Sequence, residues 1–331
     1  MMLVKLNCKI EIETKDNKKL SFTAVNNCEI ERSIYNLGST AKIKIPASAR
    51  LTTKGDKISE SVQSGKQFAR GDKISISLGY DDKLENEFKG FIYRVNFTTP
   101  LEIECEGYEF QLRKPADVKV FESTTLKDLL TWAANGTDIT LSDHIPKINF
   151  TNYVIPAGKS KLDVVQDVKD KYGLTTYFTE NLLYCGLSYI PDYGEVKYSL
   201  GVNTIKDNEL KYRNADDVKL KVKAIWAKKD NTKIEAHVGD DDGQERTLFF
   251  FNVSSKEELQ KLAEQEIKKY KYDGYEGKIT TFLQPFCKPG MKAKITDPKY
   301  SEKDGTYYIS SVKVTFSRQG ARRLNEIDIK I

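Results

Sequence analysis

The chain has 331 residues, 39% of them hydrophobic and 11% aromatic, enough for two or three domains with cores of their own. Its 53 basic and 48 acidic groups nearly cancel, and no run of Lys and Arg marks a face built to displace counterions from nucleic acid. No stretch approaches the ~18 consecutive apolar residues of a membrane span, so neither nucleic-acid binding nor membrane insertion is expected.

The first region reads as all-β. Val4 to Ile12 alternates apolar and polar residues, as a half-buried strand does and a signal peptide does not. A turn at Asp16-Asn17 leads to a strand over Leu20 to Val25, and Thr40 to Ile45 alternates again up to Pro46. The polar stretch Thr52 to Lys66 reads as a long loop, unusual inside a β-domain and for that reason a candidate for function. Strands over Ile74 to Tyr80, Phe88 to Phe97 and Leu101 to Cys105 complete a barrel or sandwich.

The pattern changes near Lys114-Pro115. Thr125-x-x-Asp128 and Ser160-x-x-Asp163 resemble capping boxes, each opening a helix. Leu126, Leu129, Leu130 and Ala133 make one apolar face; Leu162, Val165, Val168 and Tyr172 make the other. A strand follows each helix, over Asp138 to Leu141 and Leu174 to Phe178, with Leu182 to Leu187 pairing back. The region is therefore expected to be a small α+β insert, a tandem of helix-strand units.

The last region returns to strands: Val218 to Ala227, Lys233 to His237, Arg246 to Phe251, Lys278 to Leu283, Thr306 to Phe316 and Leu324 to Ile331. The run Leu248 to Phe251, apolar at every position, suggests a strand buried on both faces. One helix interrupts them, opened by Ser254-x-x-Glu257 and carrying Leu259, Leu262, Ala263, Ile267 and Tyr270 as its stripe. The expected domains are 1–113, 114–205 and 206–331.

The two β-regions match at an offset of 219 residues. Gly71 falls on Gly290, Lys73 on Lys292, Ile76 on Ile295, Val95 on Val314 and Phe97 on Phe316, which suggests a duplication. Three such chains would present six similar domains in a ring.

The runs Gly71-Asp72-Lys73-Ile74-Ser75-Ile76-Ser77-Leu78-Gly79-Tyr80, Phe88-Lys89-Gly90-Phe91-Ile92 and Pro100-Leu101-Glu102-Ile103-Glu104-Cys105 resemble the tail-hub proteins of contractile phages. These form the late control protein D family, with relatives in Mu-like and T4-like phages. Lys288-Pro289-Gly290-Met291 and Gly305-Thr306-Tyr307-Tyr308-Ile309 are similar to the second barrel of such proteins. The resemblance implies two tail-tube-like β-barrels flanking the helix-strand insert, in a homotrimer that forms a pseudo-hexameric ring. It further implies a structural virion component, assembled in the host cytoplasm, with the tail tube protein, the central spike protein and the tape-measure protein as partners. Thr52 to Lys66 occupies the place of the loop that contacts the next ring, with Lys54, Asp56, Lys57, Glu60 and Lys66 as its charged contacts.

No enzymatic motif competes. There is no HExxH, GxSxG, Walker loop or GxGxxG, so no catalytic residue, metal or cofactor is expected. His144 and His237 stand alone, and Glu102 with Glu104 reads as the solvated face of a strand. Asp240-Asp241-Asp242-Gly243 lacks the twelfth-position Glu of a calcium loop, because Phe251 stands there. Cys8, Cys105 and Cys185 sit in strand patterns and read as buried thiols. The rival reading is a glycan-binding module resembling LysM domains, which would need Tyr177, Tyr184 and Tyr189 exposed along a groove.

Overall fold

A computed structural model describes residues 5–52, 59–63, 67–205, 209–227, 232–251 and 253–331. The first hairpin pairs β1 (Leu6–Glu13) with β2 (Lys19–Phe22). Its alternation works as read: Cys8, Ile10 and Ile12 are buried while Lys9 and Glu11 face water. Next come β3 (Asn27–Ser33), β4 (Thr40–Ile45), β5 (Ser48–Thr52), β6 (Ser59–Gln63), β7 (Lys73–Tyr80), β8 (Lys83–Asn96) and β9 (Leu101–Glu106). Strand β3 was not expected, since Cys28 and Ile30 alone mark its buried face. The expected loop over Thr52 to Lys66 is in part a hairpin, β5 against β6, with Thr52 opposite Ser59.

The middle region contains β10 (Lys119–Thr125), α1 (Leu126–Ala134), β11 (Thr140–Leu141), β12 (Asn149–Ile155), α2 (Lys161–Tyr172), β13 (Thr175–Thr179) and β14 (Leu182–Gly186). At Ser160 the capping box is complete: Asp163 N–H donates to Ser160 Oγ at 3.1 Å and Ser160 N–H donates to Asp163 Oδ2 at 2.7 Å. Gly173, in the left-handed region at φ 59°, ends α2. Leu126, Leu129, Leu130 and Ala133 pack with Val164, Val165, Val168 and Tyr172 in one core, so the two helices bury each other's stripes. Strands β10 and β12, one before each helix, pair antiparallel and were missed because the exposed Val120 and Val154 and the buried Thr124 break the alternation.

The rest of the chain forms β15 (Glu195–Ser199), β16 (Leu210–Arg213), β17 (Leu220–Ala227), β18 (Lys233–Gly239), β19 (Gln244–Phe250), α3 (Lys256–Tyr270), β20 (Gly274–Thr281), β21 (Lys292–Thr296), β22 (Gly305–Ser317) and β23 (Gly320–Lys330). The strands β18-β17-β19 make a sheet of their own, apart from β20 to β23. The apolar stripe of α3 needs a face to cover, and Leu259, Ala263 and Ile267 bury Leu220, Val222, Ala224 and Ala236. As an edge strand there, β19 leaves Leu248, Phe249 and Phe250 half-buried, not enclosed on both sides as expected. The cap of α3 also lies one residue later than read: Glu258 N–H donates to Ser255 Oγ, and Ser254 N–H donates to Glu258 Oε2.

The fold is mainly β, but the expected two barrels are not two separate closed sheets. One 13-stranded sheet runs β16-β20-β23-β22-β3-β4-β9-β8-β7-β1-β2, with β21 on β22 and β15 on β21. Among the described residues it does not close on itself. It is continuous because β22 is long enough to pair β21 near its start and β3 near its end.

The duplication is visible in the backbone. The antiparallel order β7-β8-β9-β4-β3 is matched by β21-β22-β23-β20-β16. Both repeats enter through a glycine at positive φ, Gly71 at 93° and Gly290 at 89°. Gly71 N–H donates to Ile92 O and Gly290 N–H to Ile309 O, at 2.8 and 2.9 Å; Ile92 N–H returns to Asp72 O and Ile309 N–H to Met291 O, both at 2.9 Å. Ile92 therefore corresponds to Ile309, and Val95 to Val312, not to Val314. The gap-free alignment fails inside this strand because the path from glycine to isoleucine is two residues shorter in the second repeat. Period two hid the slip, since a shift of two keeps each side chain on its face.

Candidate assembly interface

The two repeats meet where β22 pairs with β3, from Ser311 opposite Ser33 to Ser317 opposite Asn27. Val314 faces Ile30 across this ladder and both are fully buried. On the other face Lys313 Nζ lies 2.5 Å from Glu29 Oε1 and 2.7 Å from Glu31 Oε1. Bonding to Lys313 holds the Glu29 carboxyl below its ordinary range. These groups are partly exposed, so the ion pairs orient the joint more than they stabilise it, at about 0.2–1 kcal/mol each.

Beneath the joint lies a buried charge cluster. Glu87 of β8 accepts from Arg323 of β23 at Oε2 (3.2 Å from Nη1) and at Oε1, and from Arg32 of β3 at 2.9 Å. Arg323 is fully buried and also donates to Leu283 O and Cys287 O at 3.0–3.2 Å, so its planar fork is filled from both repeats. Sequence reading missed this cluster. The signal was present: period two places Arg323 on the inward face with Ala321, Ile327 and Ile329.

Of the stacking-loop residues, Lys54, Asp56, Lys57 and Lys66 lie outside the described residues, and Glu60 lies on β6 opposite Leu51. Tyr177 and Tyr184 are core residues, and Tyr189 is half-buried, donating to Asp328 Oδ2 at 2.9 Å. They do not line an exposed groove, and the physical reason is α3 and its sheet, which cover that face of the middle region. Asp240 lies in the turn from β18 to β19, which crosses the end of β17 and is therefore not a hairpin, accepting from Leu220 N–H at 2.9 Å and pairing with Lys271. Glu102 faces Lys42 and Lys44 at 3.5 and 3.4 Å, on a solvated strand face. His144 and His237 are exposed. All five cysteines are buried free thiols, and burial pushes the Cys185 thiol up to about 12.

Known structures share this arrangement along its whole length. The 43 kDa tail protein of prophage MuSo2 from Shewanella oneidensis aligns over 97% of this chain and 97% of its own, with a TM-score of 0.60 at 14% identity. A tail protein from Neisseria meningitidis MC58 aligns over 98% of this chain and 96% of its own, with a TM-score of 0.59 at 13% identity. The chain has the fold of phage tail proteins. The same fold extends to an E. coli component of the type VI secretion system that exhibits structural similarity to the T4 tail proteins gp27 and gp5. It aligns over 97% of this chain and 76% of its own, with a TM-score of 0.58 at 9% identity. No family model and no curated protein sequence matches the chain.

Proposed function

We propose that this chain is a structural baseplate hub subunit of a contractile phage tail or a related injection machine. In this reading it is a homotrimer. Each protomer supplies two tube-like β-domains, residues 1–113 and 206–331, to a pseudo-sixfold ring, with 114–205 as a scaffold between them. One side of the ring meets the tail tube protein, and the other holds the central spike protein and faces the tape-measure protein. The observation that carries the reading is the duplication itself, two repeats with the same strand order and the same hydrogen bonds at Gly71 and Gly290. A protomer with two near-equivalent domains is what an adaptor between threefold and sixfold partners requires. The fold shared with tail proteins supports the same assignment.

The test is the mass of the purified chain by light scattering coupled to size exclusion. A trimer of three times 37.7 kDa is expected; a monomer at every concentration overturns the reading. The stacking role of 52–66 belongs to this proposal. Deleting the loop 52–66 should abolish stacking on tube rings and leave the trimer folded, and unchanged stacking refutes that role.

A further inference from the structure

The two repeats differ in one respect that matters for assembly. In the second, the edge of β22 from Ser311 to Ser317 is covered by β3. In the first, the matching stretch of β8 begins at Arg94 and, among the described residues, pairs on one side only, with β9. The second repeat's counterpart of β3 is β16, which among the described residues pairs on one side only, with β20. One molecule thus carries both halves of a second joint, each half unpaired among the described residues.

The register follows from the ladders. From Ile92 the rungs run to Cys105, Ala41 and Ile30; from Ile309 they run to Ile327, Gly277 and Leu210. Leu210 therefore stands where Ile30 stands, and Phe97 stands where Val314 stands. Val314 is fully buried, whereas Phe97 is 76% exposed.

We infer that the free edge of β8 from Arg94, continued by Phe97 one residue past the end of the strand, pairs antiparallel with the β16 edge that begins at Leu210 of a second copy of this chain. Phe97 then faces Leu210, Val95 faces Tyr212, and Asn96 faces Lys211, repeating the joint already made between β22 and β3. Exposed rows of backbone N–H and C=O groups are templates for such strand addition. Tyr212, 38% exposed, is covered by the same pairing. Arg94 falls opposite Arg213, whose charge is already held by Glu276 Oε2 at 2.9 Å and by Tyr270 O at 2.7 Å. The contact joins unlike edges, so copies assemble head to tail and the sheet passes from one protomer to the next. The closure of that series at three copies rests on the function proposed above.

The test uses the full chain with Phe97→Cys and Leu210→Cys together, oxidised mildly after its mass is measured by light scattering. Facing residues of antiparallel strands are about 4.5–5.5 Å apart, within disulfide reach, and the native cysteines are buried. Expected is a covalent trimer that needs both substitutions and is reversed by reductant. A trimer that does not cross-link overturns this joint and leaves the ring standing. A monomer that does not cross-link overturns both. Cross-linking by Phe97→Cys alone means that like edges meet, and also overturns the joint. As a second variant, Phe97→Asp should weaken self-association roughly tenfold or more with the unfolding midpoint of the dissociated chain unchanged; undiminished association counts against the joint.

Discussion

Glu87 and Arg323, 236 residues apart in sequence, share hydrogen bonds with no exposure to solvent at either side chain. One belongs to the first repeat and one to the second, and Arg32 joins them from β3. Two guanidinium groups around one carboxylate are tolerated because backbone carbonyls at Leu283 and Cys287 take the remaining donors of Arg323.

Removing the carboxylate alone should therefore be severe. Glu87→Ala leaves the buried Arg323 and the partly buried Arg32 without their counter-ion, and a loss of about 3–5 kcal/mol is expected. Urea unfolding at low and high salt measures it. The loss should change little with salt, because a pair without solvent contact is weakly screened.

Glu109 supplies a pH dependence. Burial pushes its carboxyl up to about 8, against hydrogen bonds from the Gly107 and Glu109 backbone, with Glu106 adding to the rise and Arg113 opposing it. A carboxyl raised on folding holds its proton in the folded chain after the unfolded chain has lost its own. Its contribution is then full below the unfolded pKa, near 4.3, and declines up to about pH 8, at no more than about 1.4 kcal/mol per pH unit. Glu109→Gln should flatten that decline in chemical unfolding between pH 5 and 8. An unchanged slope would assign the effect elsewhere.

Gly71 and Gly290 play the same backbone role in different surroundings. A Cβ at Gly71 would meet the flexible end of Lys15 at 3.1 Å, whereas one at Gly290 would meet the Tyr193 ring at 2.5 Å. Both alanine variants should lose about 1–2 kcal/mol from positive φ, and Gly290→Ala should lose measurably more. Thermal melts of the pair decide it.

The cap of α3 separates two adjacent serines. Ser255→Ala should cost about 1 kcal/mol, since it strips an acceptor from the Glu258 N–H, while Ser254→Ala should cost little. Equal effects would restore the cap read from sequence.

Much of the architecture is legible wherever one apolar face follows one period. The α2 cap, the stripe of α3 and the strand β7 all follow from spacing that a single element sets by itself. What sequence hides is choice of partner. Nothing in Val218 to Ala227 says that its strand joins α3 and not β20, because both faces offer apolar residues of similar size. The Arg323–Glu87 contact is hidden for the same reason: alternation points Arg323 inward but does not say which carboxylate waits there. Strand β3 escaped because one Cys and one Ile are too few to establish a period.

The seven-residue β3 lies alongside β22 as a ladder of parallel rungs. Sliding the repeats past each other along the strands would load every rung together, whereas hinging them apart would load the end rungs first. The protomer should therefore be stiff against axial shear and compliant in bending, the response of a hinge plate more than of a rigid block.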